Sequence, residues 1–516
     1  MKKIHKSNNL LKLIFESLKP KSNVKILLSL LIVLGIIAFY VFFSLVIEIN
    51  HSDDLCFKDV SLSLAWLIER YQSWSSRLII EAVLVPLCKN DLLFRIILPF
   101  LLMAMPILLM ILFNSFMRTT DALPNYLQVD KGSNIFIKYK KFIVQLIFGN
   151  YRSISAANNL HSTLFLNVGK SEVNFWQLWK ISRQNWAHIW LYFAVCFCYS
   201  LRNMSSAGWR ATFANYYIVI LMVVVVMIIL SSDFKRTFIQ NFVAKIVLVA
   251  SLIYACNQEQ GAIVVLALCA LLIFLGKVKI DVIIAVVICL ASIIFSLKAP
   301  GNEIRYFLEI KKHFVEYENF SLLYKLYLGY ITTFYFYLFT PKAVSVLFIS
   351  VLSYLTFKFH YIFSIILTVI LFSLQLLYIL KFPYLHGYDS NSFYYFNHQW
   401  QFHLLPLLFL IGSVVFIGLM VIMLKKYFSE NRYFFFTLYV LGVGFLTRLL
   451  MGLSPTIFAS GTRTYIFMDF ALIFAVLYAI YHNHQKQNKV EMIYVILPIS
   501  ALSIVSIFAA IFDWYG

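Results

Sequence analysis

The sequence predicts an all-α polytopic membrane protein. Of its 516 residues, 61% are hydrophobic and only 13% are charged, whereas a soluble domain carries about 25% charged residues. The apolar residues also come in long runs, and a helix of roughly 20 residues crosses a hydrocarbon core of about 30 Å. Backbone amides within lipid must be paired inside their own segment, so we expect these runs to be helices.

The strong basic charge of the chain has a membrane explanation. The formal net charge is +20, and Lys and Arg collect in the loops that the positive-inside rule places in the cytoplasm. We therefore predict membrane lipid and no nucleic acid as a partner. The 7 cysteines lie mostly in apolar runs without metal-ligand spacing, which is typical of small buried residues.

The N-terminal part sets the topology. Residues 1–25 are rich in lysine and are predicted to be a cytoplasmic segment. The first helix, 26–47, should remain in place, because it is too long for the apolar part of a signal peptide. Residues 48–91 then form the first extracytoplasmic loop, in which we expect amphipathic helices. A second crossing at 92–116 leads to 117–187, a basic segment predicted to be cytoplasmic or interfacial.

The rest of the chain continues as one transmembrane domain, 26–516, for which we predict about 13 crossings and no large soluble domain. The later predicted helices cover 189–201, 213–230, 242–256, 262–275, 280–297, 322–339, 343–357, 361–380, 404–424, 433–453, 465–481 and 492–512. The stretches 298–305 and 381–403 are both expected outside, so an even number of crossings must separate them. We therefore expect 343–357 to be non-spanning or re-entrant.

Two adjacent acids follow the first helix. Asp53 and Asp54 lie at the mouth of that helix, on the predicted outer side. A carboxylate there can act as a general base toward a hydroxyl group, or can hold a divalent cation such as Mg²⁺ or Mn²⁺. The alternative is that both acids merely mark a helix end at the interface.

Three outer arginines are candidates for binding phosphate. Guanidinium groups bind phosphate oxygens in bidentate fashion, which suits Arg77, Arg305 and Arg463 to a lipid phosphate. The alternative for each is that it reaches toward lipid headgroups as an ordinary interfacial residue. Pro300-Gly301-Asn302 precedes Arg305 and predicts a tight turn that aims this side chain over the membrane surface.

Further polar residues complete the candidate substrate site. Glu259 lies in a polar island between two apolar runs, where it is either functional or part of a short hydrated turn. We predict that Trp74 and Asn302 contact substrate, together with His386 and His398 of the late outer loop. The spacing of the histidines fits no short metal-binding motif.

Four short motifs, in this order and on one predicted side, carry a resemblance. They are Asp53-Asp54, Trp74-Ser-Ser-Arg77, Ala299-Pro-Gly-Asn-Glu-Ile-Arg305 and Ser460-Gly-Thr-Arg463. The set resembles the GT-C superfamily of integral-membrane glycosyltransferases. More narrowly, it is similar to uncharacterised bacterial membrane proteins that resemble serotype-converting glucosyltransferases. The likeness extends over most of the chain in layout.

The resemblance implies transfer of a sugar from a polyprenyl-phosphate donor to a cell-surface glycan, at the outer face of the cell membrane, by an inverting mechanism. Asp53 or Asp54 would be the base or a metal ligand, and Arg305 would hold the donor phosphate with Arg77 or Arg463. Two alternatives stay open. One is a polysaccharide polymerase or ligase acting on polyprenyl-pyrophosphate glycans, and the other is a lipid-linked glycan flippase or transporter.

Overall fold

The computed structural model describes the chain in separate stretches. These are residues 22–49, 52–121, 186–232, 238–340, 342–380, 404–428, 431–486 and 489–512. Within them the secondary structure is helical and contains no strand, which confirms the prediction of an all-helical protein. Most of the basic segment 117–187 lies outside the described residues, and so does the late outer loop with His386 and His398.

The described helices are named here in chain order. They are α1 (Ser22–Val46), α2 (Asp53–Lys58), α3 (Leu64–Ser73), α4 (Leu78–Lys89), α5 (Asp91–Asp121), α6 (Trp186–Phe197), α7 (Trp209–Ser231), α8 (Phe238–Cys256), α9 (Glu259–Phe274), α10 (Ile280–Leu297), α11 (Pro300–His313), α12 (Leu322–Leu338), α13 (Ala343–Ile379), α14 (Leu404–Tyr427), α15 (Asn431–Met451), α16 (Ile466–Lys486) and α17 (Lys489–Phe512). Residues Phe213–Tyr217 of α7 form a π-helical turn. A 3₁₀ turn, Gly461–Tyr465, leads into α16.

Several of these helices are long and apolar enough to cross a membrane. Among the described residues there are 7 such segments. They are Asp91–Phe113, Trp209–Ser231, Phe238–Cys256, Ile280–Leu297, Leu410–Tyr427, Tyr433–Met451 and Gly461–His482. The chain is therefore a helical membrane protein by length and composition, and the total of about 13 crossings stays a prediction.

The three predicted apolar runs in residues 322–380 do not form three separate straight crossings in the structure. The pair Leu322–Leu338 and Ala343–Thr356 is bent by 75°. Within α13 the Thr368 hydroxyl donates to the Ser353 hydroxyl at 2.7 Å, although a straight helix would separate residues 15 positions apart by about 22 Å. The chain therefore folds back within α13, and its first limb pairs with its second.

The fraction of each apolar helix that is buried inside the protein distinguishes central helices from peripheral ones. In Gly461–His482, which contains α16, 89% of the apolar window is buried inside the protein, against 17% in α10. α7 is also central, with 67% buried. A peripheral apolar helix exposes its side chains to lipid, so α10 forms part of the lipid-facing surface.

The sequence prediction for residues 300–302 is wrong in one respect. These residues form the first turn of α11 and not a tight turn ahead of Arg305. Proline is favoured at the first helical position, because its fixed φ suits a helix and its missing N–H would be unpaired there anyway. Arg305 is consequently held on a helix whose start is fixed against α10.

Candidate functional site

The site begins where α4 meets the link between α8 and α9. The Asn257 side-chain oxygen accepts the backbone N–H groups of Ile79 and Ile80, each at 3.1 Å. Its amide nitrogen donates to the Ser76 carbonyl at 3.1 Å. Asn257 thus satisfies two otherwise unpaired donors in the first turn of α4 and fixes the start of this helix, including Arg77, beside the start of α9.

Arg77 and Glu259 form an ion pair in this position. Arg77 Nη2 donates to Glu259 Oε2 at 2.7 Å, with the side chains 20% and 40% exposed. Ser296 donates a further hydrogen bond to Glu259 Oε1 at 3.3 Å. Burial acts to raise the pKa of Glu259, but the charge of Arg77, a backbone hydrogen bond and the charge of Arg305 together lower it. Burial likewise acts to lower the pKa of Arg77, but Glu259 and Tyr216 together raise it.

Asn302 locks α11 onto the same place. Its amide nitrogen donates to the Ser76 hydroxyl at 3.0 Å and to the Ser296 carbonyl at 2.8 Å. Its side-chain oxygen accepts the Ser76 backbone N–H at 3.3 Å. The neighbouring Gly301 lies against the backbone of Trp74, where a Cβ atom would have no room. The first turn of α11 is therefore held by direct contact with the segment that precedes α4.

Arg305 follows one turn later on α11 and faces Arg77. Burial lowers the pKa of Arg305, and the charge of Arg77 lowers it further, while Glu259 and Glu309 only partly compensate. Within the described part of the chain, Arg305 makes no salt bridge with a carboxylate. We call Arg77 and Arg305 the arginine pair: two partly exposed cations on which Glu259 acts electrostatically.

A tyrosine that the sequence did not single out lies beside both arginines. Tyr216 interacts electrostatically with Arg77 and with Arg305. It belongs to the π-helical turn of α7, and such turns occur often at functional sites. Ser296, near the end of α10, was likewise missed, because a serine inside an apolar run gives no signal in the sequence.

The two adjacent acids have different surroundings. Asp54 is buried and accepts the backbone N–H groups of Arg210 and Ala211, at 3.1 and 2.8 Å. These amides lie in the first turn of α7, so Asp54 stabilises a helix N-terminus. Asp53 has a side chain that is 55% exposed, and Oδ2 lies 3.7 Å from Nη1 of Arg463.

The backbone on both sides of the Asp53 amide holds this residue in place. Its backbone N–H donates to the Ala207 carbonyl at 3.2 Å. The preceding residue, Ser52, has a positive φ of 55°, which costs a non-glycine residue about 1–3 kcal/mol and occurs preferentially at functional sites. The surrounding structure therefore fixes the direction in which α2 starts.

Gln260 connects the segment of the Arg77–Glu259 ion pair with the segment of the Asp53–Arg463 ion pair. Its amide nitrogen donates to the carbonyls of Thr447 and Thr464, at 3.2 and 3.3 Å. Thr464 follows Arg463 in the chain, and Gln260 follows Glu259. Four separate stretches, at residues 52–77, 257–260, 296–305 and 461–464, are thus connected by side-chain contacts.

Trp74 belongs to a neighbouring cluster. The Arg70 guanidinium lies 5.9 Å from the Trp74 ring and 5.7 Å from the ring of Trp66. Arg70 also makes a bidentate ion pair with Glu81, at 2.8 and 2.9 Å. This ion pair joins α3 to α4 and was not predicted from the sequence.

Two buried charged residues lie next to the site and were not assigned to it from sequence. Arg448, in the last turn of α15, donates to the Thr464 hydroxyl and stacks 3.6 Å above the Tyr465 ring. Asp469, in the first turn of α16, accepts the Tyr337 hydroxyl at 2.7 Å. Both stabilise the end of the helix bundle that carries the turn with Arg463.

The arrangement offers donors for an anion. Among the described residues, no group of three or more His, Cys, Asp or Glu side chains could hold a metal ion. Both carboxylate oxygens of Asp54 accept backbone N–H groups. The arginine pair offers guanidinium donors, and two carboxylates, Glu259 and Glu309, act on it electrostatically.

Comparisons with known proteins found no similar protein. No protein-family model matches the chain, and neither do any of the curated proteins or solved structures that were compared with it.

Proposed function

We propose that this chain is a GT-C-type glycosyltransferase that moves a sugar from a polyprenyl-phosphate donor to a cell-surface glycan. The observation that supports this most is the arginine pair, in which Arg77 pairs with Glu259 while Arg305 makes no salt bridge with a carboxylate among the described residues. An acid with an exposed carboxylate, Asp53, belongs to the same contact network. Guanidinium donors and a carboxylate are what a transfer from a phosphate donor requires.

The arginine pair would bind the phosphate of the donor. Guanidinium groups bind phosphate oxygens through paired hydrogen bonds. As the sugar–phosphate bond breaks, negative charge grows on the departing phosphate, and fixed cations stabilise it in the transition state. An anion also relieves the repulsion between Arg77 and Arg305, which favours its binding further.

Asp53 would be the general base. It takes the proton of the acceptor hydroxyl while that oxygen bonds to the sugar carbon and the phosphate leaves with the electron pair, which inverts the configuration. Arg463 Nη1 lies 3.7 Å from its Oδ2. Both oxygens of Asp54 accept backbone N–H groups at the start of α7, so we assign Asp54 to structure. A divalent cation held by Asp53 would be the alternative to this base role.

The remaining expectations about location belong to this proposal. We place the protein in the cell membrane with about 13 crossings and the site at the outer face, on the basis of the positive-inside rule. The lipid-linked donor would reach the site from the surrounding bilayer.

The two alternative functions, transport and polymerisation or ligation, require different features of the molecule. A flippase or transporter needs charged residues along a path through the bilayer centre. Arg448 lies in the last turn of α15, whereas Asp469 lies inside the candidate span Gly461–His482 and accepts the Tyr337 hydroxyl. A polymerase or ligase would also use outer arginines, but on a pyrophosphate. Composition analysis of the surface glycan separates these enzymes, because a polymerase changes chain length and a transferase changes a sugar substituent.

The test is glycan analysis of a deletion strain complemented with variants of the chain. We expect the deletion to lose one sugar substituent and the wild-type chain to restore it. Asp53→Ala should fail to restore it, while Asp59→Ala, which removes an exposed acid at the end of α2, should restore it. Full restoration by Asp53→Ala at equal protein level would contradict the assignment of Asp53.

A further inference from the structure

One face of α11 is apolar and exposed. Ile304, Phe307 and Leu308 are 46%, 44% and 49% exposed, and their spacing places them on one side of a helix. The helix has 14 residues, so it is about 21 Å long and too short to cross a core of about 30 Å. Its other residues include Glu303, Lys311 and other charged side chains.

α3, which packs against α11, exposes apolar side chains in the same way. Leu64 and Ile68, one helical turn apart, are 75% and 50% exposed. None of the 10 residues of α3 is buried. The Tyr71 ring of α3 stacks on Phe295 of α10, with the ring centres 4.7 Å apart. Both short helices thus present an apolar face that no other described element covers.

These faces continue the lipid-facing side of α10. That helix exposes a stripe of apolar side chains along its length: Val287, Leu290, Ile294 and Leu297. Only Lys298 and Ala299 separate the end of α10 from the start of α11. The apolar face of α11 therefore begins where the stripe on a candidate membrane span ends, which is the level of the membrane interface.

Basic residues flank the apolar face of α11. Lys298 precedes the helix, and Lys311 and Lys312 lie in its last turn, all exposed. Long basic side chains beside an apolar face suit the boundary between acyl chains and anionic headgroups. A protein partner would not need this continuity with α10, whereas a lipid leaflet does.

We propose that α3 and α11 lie in the plane of the membrane and bury their exposed apolar faces in the leaflet beside the arginine pair. The partner of this surface is thus the headgroup and upper acyl region of the bilayer. Arg305 follows Ile304 by about a quarter-turn, and Asn302 fixes the start of α11. The depth of α11 in the leaflet consequently sets Arg305 at the level of lipid phosphates. This inference does not depend on the proposed enzymatic activity.

The test measures the depth of single labelled cysteines in the full-length protein, reconstituted in phosphatidylcholine vesicles. Cys56 is the exposed natural cysteine and is replaced by Ser. Phe307→Cys and Ile68→Cys are then each labelled with bimane, with Leu308→Cys as a second variant for α11. His313→Cys is the matched control, because it is an exposed position on the opposite side of the same helix from Ile304 and Leu308.

We expect lipids with a nitroxide near the top of the acyl chain to quench labels at 307, 308 and 68 at least threefold more than the label at 313. Iodide in the water should show the opposite order. Equal quenching of all positions by iodide would overturn the proposal, since the face would then be in water. Protection of 307 and 68 from both quenchers would also overturn it, since a protein surface would then cover them.

Discussion

Two arginine sites in this molecule differ in burial and in the supply of acceptors. Arg210 is fully buried, and its guanidinium donates to the Cys88 carbonyl at 3.0 Å and to the Asp91 carboxylate. The arginine pair is partly exposed: Arg77 pairs with Glu259, and Arg305 makes no salt bridge among the described residues. A buried cation with its acceptors in place stabilises a fold, whereas a partly exposed guanidinium without a salt bridge is available for an anion from outside. The predictions below test this contrast, from the largest expected effect to the smallest.

Arg210→Met should lower the unfolding temperature more than the other substitutions do. Arg210 is fully buried, whereas Asp91 is 48% exposed, so Arg210→Met leaves no buried charge behind. It leaves the Cys88 carbonyl without its donor, and a buried acceptor without a partner costs about 1–3 kcal/mol. We expect a large drop in the unfolding temperature in detergent, or failure to accumulate in the membrane. Arg305→Met is the matched change at the arginine pair and should leave the unfolding temperature unchanged or higher, because it removes the repulsion from Arg77. Equal destabilisation by both changes would contradict the contrast.

Gly301→Ala tests whether the start of α11 is held by close contact. The new Cβ atom would meet the backbone of Trp74, and overpacking of this kind costs about 1–3 kcal/mol. We expect lower thermal stability and weaker binding of lipid phosphate. Gly412→Ala is the control, because nothing lies within 4 Å of a Cβ atom there. A loss of the same size at Gly412 would show that the effect does not come from contact with Trp74.

Asp54→Ala and Asp53→Ala separate the roles of the two acids. Loss of a carboxylate that accepts N–H groups at a helix start costs about 0.5–2 kcal/mol, so Asp54→Ala should lower the unfolding temperature. The pair between Asp53 and Arg463 is exposed, and such pairs contribute about 1 kcal/mol or less. Asp53→Ala should therefore change stability little. The reverse order in thermal unfolding would remove the basis for assigning Asp54 to structure.

The pH dependence of anion binding should be small. Burial acts to raise the pKa of Glu259, but the charges of Arg77 and Arg305 and a backbone hydrogen bond together lower it. Any stability from this pair is therefore present above the usual pKa of a glutamate, about 4.3, and is lost only as the pH falls through the lowered value. Affinity for a lipid sulfate, which does not titrate, should stay constant between about pH 8 and pH 5. A several-fold change in this range would show that the pKa of Glu259 is raised and not lowered.

Some features could be read from the sequence because local composition determines them. The bounds of α10 are as predicted, since Lys279 and Lys298 enclose an uninterrupted apolar run. For the region of α13 the sequence predicts two apolar runs, 343–357 and 361–380, of which the first is non-spanning or re-entrant. The contact between Ser353 and Thr368 could not be predicted, because it is a tertiary contact that hydropathy does not record.

The contact partners of the site residues could not be predicted from the sequence either. Asp53, Asp54, Arg77 and Arg305 were selected by residue type and predicted side, but their partners are distant in the chain. Arg77 pairs with Glu259 across 182 positions, and no local pattern indicates that contact. The different roles of Asp53 and Asp54 likewise depend on which of them meets the first turn of α7.

The most direct test of the account is the affinity of the arginine pair for a lipid phosphate. Geranylgeranyl phosphate is titrated against the wild-type chain, Arg305→Met and Lys312→Met in nanodiscs. The control removes the same charge from an exposed position on the same helix. We predict that Arg305→Met weakens binding at least tenfold, or about 1.4 kcal/mol, while Lys312→Met changes it less than threefold. Equal affinity of Arg305→Met and the wild-type chain, with both folded, would contradict the central claim.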